Sequence, residues 1–412
     1  MKKKLSLLLG ALSVISMPIV AISCSNSEKN DKQDNTKIRS DLIKEIEKLN
    51  FEQKVELISK LNLSKEKKGE LIGKLNNGAA VAGAIVWYMT SAEQRAAALQ
   101  AYTLAKIAFD NIKKKEMSGN ELDFSKSKDG EVSNTQSNKA VPVVFMDIDE
   151  TVLVNEYSES WMIYENNGKF DEDFKNKVDA KGNRKAVPGA INFINHVFTN
   201  GGIVLFNSGI PQLKESIEGI KRNLIKLGVK KEYVHDWMFW CSGVDTKAKN
   251  GKYEDKSPWK TALENKNLNK KVTSKNQRMN DVSDNKEGWN FKASESKSGD
   301  NVQTKVIMKI GDDFNDFYDD AYKNAKTPGA NIDFITKNNL DRLFTEIEGT
   351  KGVKVTVENN VPKIENLNWH QFNIQIPGNA MYGGWTANYS YGAFDKLWKA
   401  LKEIYENSKD NV

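Results

Sequence analysis

Cysteine is scarce in this chain. Cys24 and Cys241 are the only two among 412 residues, and neither has a second cysteine at zinc or redox spacing. A disulfide framework, a CxxC redox motif and a thiolate zinc site are therefore excluded. Histidine is nearly as rare: His196, His235 and His370 lie too far apart to form a metal-ligand motif. Charge of one sign is also missing in any useful excess. Lys and Arg number 61 against 55 Asp and Glu, and Lys2, Lys3 and Lys4 hold three of the six net positive charges. The remainder makes no electrostatic case for a nucleic-acid polymer as partner. Beyond Cys24 no apolar run approaches the roughly 18 residues that a spanning helix needs. What the chain does have is length and apolar bulk. Its 39% hydrophobic and 9% aromatic residues rule out disorder throughout, and 412 residues exceed the need of one average domain.

The N-terminus is organised as a leader. Lys2 to Lys4 form a basic n-region, and Leu5 to Ile22 form an apolar h-region with small residues towards its end. Strongly polar sequence follows, so residues 1–23 read as a signal peptide rather than a spanning helix. Ala21-Ile22-Ser23-Cys24 resembles a bacterial lipobox, which implies lipidation of Cys24. Residues 24–37 are polar and charged and read as a flexible tether. Diacylation at Cys24 would anchor the protein stably, since two chains hold where one is marginal. The expected location is the cell membrane or outer surface, with the folded part outside the cytoplasm.

Residues 38–80 place Leu42, Ile43, Ile46 and Leu49, then Val55, Leu57, Ile58 and Leu61, at helical spacing; they predict an N-terminal helical extension. A longer helix follows Met89. Thr90 with Glu93, or Ser91 with Gln94, has capping-box spacing, and Ala98, Ala101, Leu104, Ile107, Ala108 and Ile112 form an apolar face. The centre then changes character. Val141–Met146, Ile203–Phe206 and Val306–Ile310 are short apolar runs without clear alternation, as buried parallel strands are. Helical patterns over Ala190–Phe198, Leu213–Leu227 and Ser257–Glu264 lie between them. This order predicts an α/β fold, a parallel sheet flanked by helices. Residues 264–305 hold eight apolar positions in 42 and read as a mobile polar surface insertion, and Gly349–Asn360 as a short added hairpin.

Each predicted strand runs into a polar signal: Asp147-Ile-Asp149-Glu-Thr151, Asn207-Ser208-Gly209, and Gly311-Asp312-Asp313-Phe-Asn-Asp316. Ligands of open α/β sheets bind beyond the carboxyl ends of the strands, so the three signals describe one pocket. Asp147 and Asp149 suit a nucleophile and a proton carrier. With Asp312 they make a cluster of hard oxygens of the kind Mg²⁺ takes. A phosphate dianion beside such carboxylates needs a metal and a lysine to offset their charge.

Asp147-x-Asp149-x-Thr151 after a strand resembles the first motif of the haloacid dehalogenase (HAD) superfamily. The longer stretches Val144–Leu153, followed by Asn155 and Trp161, and Ile307–Phe317 are similar to two signatures of the bacterial class C acid phosphatases, which include lipoprotein 5′-nucleotidases. Trp87 with Ser91-Ala92-Glu93, Lys185–Ala190 and Pro377–Trp385 extend the resemblance, so that 81–405 reads as one HAD-like acid phosphatase domain. The resemblance implies a Rossmannoid parallel sheet with a smaller, mainly helical cap region, Mg²⁺ as cofactor, small phosphate monoesters as substrates, and a homodimer. It also implies roles. Asp147 is the nucleophile; Asp149 is the general acid/base and offers its backbone carbonyl to the metal. Ser208 hydrogen-bonds the transferring phosphoryl group, and Thr151 belongs to the substrate-binding set. Lys256 in Asp255-Lys256-Ser257 is the best match to the motif lysine, with Lys247, Lys249 and Lys260 nearby. Asp312 ligates the metal, and Asp316 orients the metal shell or the lysine. Trp161, Phe174, Tyr382 and Trp385 are candidates to stack on a substrate ring, with ordinary packing as the alternative. After Ser208 many relatives carry Asn-Arg where this chain has Gly209-Ile210.

Two functional readings follow. One is a membrane-anchored, Mg²⁺-dependent phosphomonoesterase, of acid phosphatase or 5′-nucleotidase type, working through an aspartyl-phosphate. The other is a surface binding or adhesion lipoprotein on a weakened or inactive phosphatase scaffold. The complete set of acidic positions favours the first; the N-terminal extension and the polar insertion favour the second.

Overall fold

The structure, a computed structural model, describes residues 48–49, 51–65, 67–68, 71, 79–135, 137–166, 170–246, 273–292, 300–323, 329–379 and 404. The leader, Cys24, the tether, the helical pattern over Ser257–Glu264, Lys256, Tyr382 and Trp385 lie outside the described residues. The chain divides into two units, one of residues 1–83, 162–169 and 389–412, the other of residues 84–161 and 170–388. In the first, helix α1 (Phe51–Ser59) buries Leu57 and Ile58, two of the apolar positions expected for the extension. Among the described residues no helix is long and apolar enough to cross a membrane.

Helix α2 (Ala79–Thr90) is followed by α3 (Ala92–Glu116), and Ser91 separates them. Of the two capping pairs, Ser91 and Gln94 form the cap: the Ser91 hydroxyl accepts from the Gln94 N–H at 3.2 Å. The buried face of α3 runs through Ala98, Tyr102, Ala105, Ala108, Phe109 and Ile112. Ile107, expected inside, is 46% exposed, because the face tilts towards the aromatic positions Tyr102 and Phe109.

A two-residue ribbon, β1 (Ser127–Lys128) with β2 (Glu131–Val132), precedes the central strand β3 (Val141–Met146). Helices α4 (Glu156–Tyr164), α5 (Glu172–Lys181) and α6 (Ala190–Thr199) lead to β4 (Ile203–Phe206), and α7 (Lys214–Leu227) follows it. Then come α8 (Lys275–Asp284), β5 (Thr304–Gly311), α9 (Asn315–Tyr322), α10 (Ala330–Lys337), α11 (Arg342–Thr345), β6 (Thr350–Glu358) and β7 (Val361–Gln375). The sheet order is β4-β3-β5-β7-β6, parallel except for the β6–β7 pair. Every residue of β3 and β4 is buried. Successive strand side chains face opposite sides, so both faces of the sheet are covered, as the unalternating runs predict.

Two readings of the C-terminal half change. Residues 264–305 are not simply a polar surface insertion: they contain α8 and the start of β5, and Asn276, Arg278, Met279, Val282, Trp289 and Phe291 are buried. Few apolar residues suffice there because polar ones with hydrogen-bond partners also go inside. The expected short hairpin is longer and belongs to the sheet. Asn359 and Asn360 both take positive φ (52° and 62°), the two-residue turn that suits the strand twist, and β7 continues from it to pair with β5.

Candidate active site

Strand register builds the site. Met146 pairs with Phe206 on one side and with Ile310 on the other, so the three strands end at one level. The Asp147 N–H donates to the Ile310 carbonyl at 2.9 Å, and the Asn207 N–H to the Met146 carbonyl at 2.7 Å. Asp147, Asn207 and Gly311 therefore leave the sheet side by side. After Asp149 the chain reverses through Glu150, a non-glycine residue at φ 53°. Such a conformation persists only where its surroundings over-determine it. Here the Glu150 N–H donates to the Leu153 carbonyl, Tyr88 OH to the Glu150 carbonyl, and Tyr102 OH to the Thr151 carbonyl at 2.6 Å. Helices α2 and α3 thus hold the turn that presents the two aspartates. On the other side, Gly311 is required by contact: a Cβ there would stand 1.9 Å from Asp316 Oδ2.

Three carboxylates converge. Asp147, Asp312 and Asp316 each place an oxygen within 4.8 Å of the others. Burial raises the Asp312 and Asp316 carboxyls well above the usual range. For Asp312 the neighbouring Asp316 and Asp147 charges add to the rise; for Asp316 the Lys275 ammonium opposes it. Burial also raises Asp147, against the pull of Lys275. Lys275 Nζ lies 2.7 Å from Asp147 Oδ1 and 2.5 Å from Asp316 Oδ1. Burial pulls the pKa of this ammonium down; the two carboxylates reverse the effect and hold it above its ordinary value. The Thr151 hydroxyl donates to Asp312 Oδ1 at 3.1 Å.

Asp149 faces a different environment. Its Oδ1 accepts from Arg184 Nη2 at 2.7 Å and pairs with Lys175 Nζ at 3.1 Å. Both cations also bind the fully buried Asp179, at 2.9 and 2.6 Å. Burial pushes the Asp149 carboxyl up, but the two cations outweigh it and hold the group below the ordinary carboxylate range. The two neighbouring aspartates thus have opposite settings: burial outweighs Lys275 at Asp147, and two cations outweigh burial at Asp149.

The described lysine beside these carboxylates, Lys275, is one that the sequence motifs did not single out. Lys256 lies outside the described residues; Lys275 is the lysine that the described residues set between Asp147 and Asp316. Its helix starts at Ser274, whose hydroxyl accepts from the Gln277 N–H at 3.0 Å. Ser274-x-x-Gln277 is the same capping spacing that marks α3, a signal outweighed by the polar composition around it. Asp319 and Asp320 of α9 fix this end: Asp319 accepts from the Lys275 and Asn276 N–H groups, and Asp320 from the Ser274 hydroxyl. Arg184, Lys175 and Arg278 carry no motif signal. Arg278, on α8, donates to Asn207 Oδ1 and to the carbonyl of Ser208, which is buried. Trp161 and Phe174 meet face to face, with centroids 3.9 Å apart and planes 15° apart, so each already covers a face of the other. His196 pairs with Asp110 at 2.7 Å, and Cys241 is buried with its thiol pushed up to about 12 by desolvation. Neither touches the carboxylates.

Residues 79–345, well over half of the chain, match the family described as HAD superfamily, subfamily IIIB (Acid phosphatase). The chain belongs to that acid phosphatase family. Solved structures similar to it include the class C acid phosphatase from Bacillus anthracis, at 15% identity and a TM-score of 0.47, covering 80% of this chain and 97% of that one. The same enzyme with tungstate bound matches at 15% identity and a TM-score of 0.45, covering 81% and 97%. HAD phosphatases use a divalent metal, and the donor set here fits one: Asp147, Asp312 and Asp316 offer only hard oxygens, gathered at the ends of two adjacent strands. The Asp149 side chain is not in that set; it is engaged by Arg184 and Lys175.

Proposed function

We propose that this protein is a Mg²⁺-dependent phosphomonoesterase that cleaves small phosphate monoesters, nucleoside monophosphates among them, through an aspartyl-phosphate on Asp147. The observation that carries the reading is Lys275 set between Asp147 and Asp316, with Asp312 in the same cluster. A lysine there lowers the repulsion between a phosphate dianion and the carboxylate that must attack it. Asp147 attacks phosphorus as the bond to the leaving oxygen breaks, and Asp149 relays to that oxygen the proton that the phosphate monoester monoanion carries into the site. Water then attacks the aspartyl-phosphate, Asp149 takes its proton, and orthophosphate leaves with Asp147 restored. Arg184 and Lys175 keep Asp149 beside this chemistry as the carboxylate that the second step requires. The Ser208 hydroxyl and Thr151 serve the phosphoryl oxygens. A bound Mg²⁺, held by Asp147, Asp312 and Asp316, supplies the remaining neutralising charge.

The leader and Cys24 support a lipid anchor that leaves the enzyme facing outward, where dephosphorylation yields a product ready for uptake. Incorporation of labelled palmitate, lost in Cys24→Ala, tests the anchor. For the activity, purified protein should release phosphate from p-nitrophenyl phosphate and nucleoside monophosphates with Mg²⁺. Release that survives excess EDTA, or that survives Asp147→Asn, would overturn the mechanism.

A further inference from the structure

Arg278 is 1% exposed and stands three residues beyond Lys275 on α8. Its donors all go to neutral oxygens. Nε donates to Asn207 Oδ1 at 2.7 Å, Nη2 to the Ser208 carbonyl at 2.9 Å, and Nη1 to the Thr273 carbonyl and hydroxyl at 2.8 and 3.2 Å. Among the described residues it forms no ion pair. Burying a cation on neutral partners is costly, which directs attention to what its charge faces. Asn207 completes the link: its Nδ2 donates to the Lys275 carbonyl at 3.1 Å while its Oδ1 accepts from Arg278. The end of β4 is therefore clamped by one amide and one guanidinium to the helix that presents the site lysine. Gly209 and Ile210, which follow Ser208, bring no cation of their own.

We propose that Arg278 is a positioning residue for phosphoryl transfer: it locks Asn207 and the Ser208 main chain against α8, so that the Ser208 hydroxyl and the Lys275 ammonium address the same phosphoryl group, and it sets a positive charge behind that point. The inference rests on the phosphatase reading. A planar fork with several donors is what the geometry uses, and a lysine reproduces the charge without the fork.

The test compares wild type, Arg278→Gln, Arg278→Lys and Val282→Ala by kcat and KM for p-nitrophenyl phosphate, by inhibition with orthophosphate, and by thermal unfolding. Val282 is a buried apolar residue of the same helix and serves as the purely structural control. Arg278→Gln should lose ~100-fold in kcat and bind orthophosphate ~10-fold more weakly, assayed well below its melting point. Val282→Ala should keep both constants within about twofold, even where its melting temperature falls as far. Arg278→Gln values that track those of Val282→Ala would overturn the proposal. Should Arg278→Gln fail to fold, Arg278→Lys decides: kcat ~10-fold lower with orthophosphate binding kept supports the clamp, and wild-type kcat overturns it. A wild-type protein without turnover overturns the phosphatase reading alone, and calorimetric orthophosphate binding by the same four proteins then judges Arg278 directly.

Discussion

Lys275 Nζ stands 2.7 Å from Asp147 Oδ1 across 128 residues of chain. Asp147 arrives on the end of a fully buried strand, and Lys275 on the first turn of a helix inside the most polar stretch of the centre. The pair joins the two halves of the site: Lys275 also holds Asp316, which adjoins Gly311 and lies four residues beyond Asp312. Removing the lysine would leave, among the described residues, a buried group of carboxylates with no cation paired to it.

Lys275→Ala should therefore lower kcat by ~100-fold or more at saturating Mg²⁺. Steady-state phosphate release checks this, with Lys256→Ala in parallel. A loss confined to Lys256→Ala would return the motif role to that residue.

Asp179 accepts from both Lys175 and Arg184 and is itself 0% exposed. Asp179→Ala would leave two buried cations with Asp149 as their one shared ion-pair partner among the described residues. Breaking a buried pair in this way costs ~3–5 kcal/mol, because the partner charges stay inside uncompensated. The urea midpoint should fall with an unchanged slope. A shift below about 1 kcal/mol would show that water already reaches the network.

Lys309 is buried on β5, with Nζ 3.3 Å from the Phe317 carbonyl and 4.1 Å from the centre of the Tyr318 ring. Desolvation brings its pKa down to about 7. The unfolded lysine titrates near ~10.4, so between these values the unfolded chain binds more protons than the folded one. The penalty from Lys309 is therefore full below about pH 7 and fades as pH rises towards 10. Chemical unfolding from pH 6 to 10 should show this rise in wild type and a flatter profile in Lys309→Met. Parallel profiles would contradict the assignment.

The raised Asp312 and Asp316 carboxyls bear on metal binding. A proton on either must leave before the metal binds, so affinity should rise with pH. Mg²⁺ at 100 times its dissociation constant stabilises a folded protein by ~2.7 kcal/mol. The thermal shift on adding Mg²⁺ should be large at pH 7.5, smaller at pH 5, and absent in Asp312→Asn. An equal shift in the variant would place the metal elsewhere.

Some of this was readable in one dimension. Unalternating runs at Val141–Met146 and Ile203–Phe206 mark strands buried on both faces, since only a covered sheet spares a strand its polar side. Asp147 and Asn207 directly after these runs mark the carboxyl edge, because a polar group carried into the core without a partner is costly. Ser91 marks the start of α3 through the hydrogen bond its hydroxyl makes. Local patterns of this kind report what each segment needs from its neighbours. They are silent on which neighbours supply it.

The sequence by itself determined the strand ends, the acidic cluster and the family, because periodicity and strand-end motifs are properties of short stretches of chain. Tertiary structure alone decided that Lys275 comes to Asp147, that Arg184 and Lys175 engage Asp149, and that Arg278 clamps Asn207. It also decided that part of a polar stretch is core. Each of these is a charge brought from afar to a buried partner. Its favourable energy exists only where folding has removed water from both groups, a condition that no local spacing encodes.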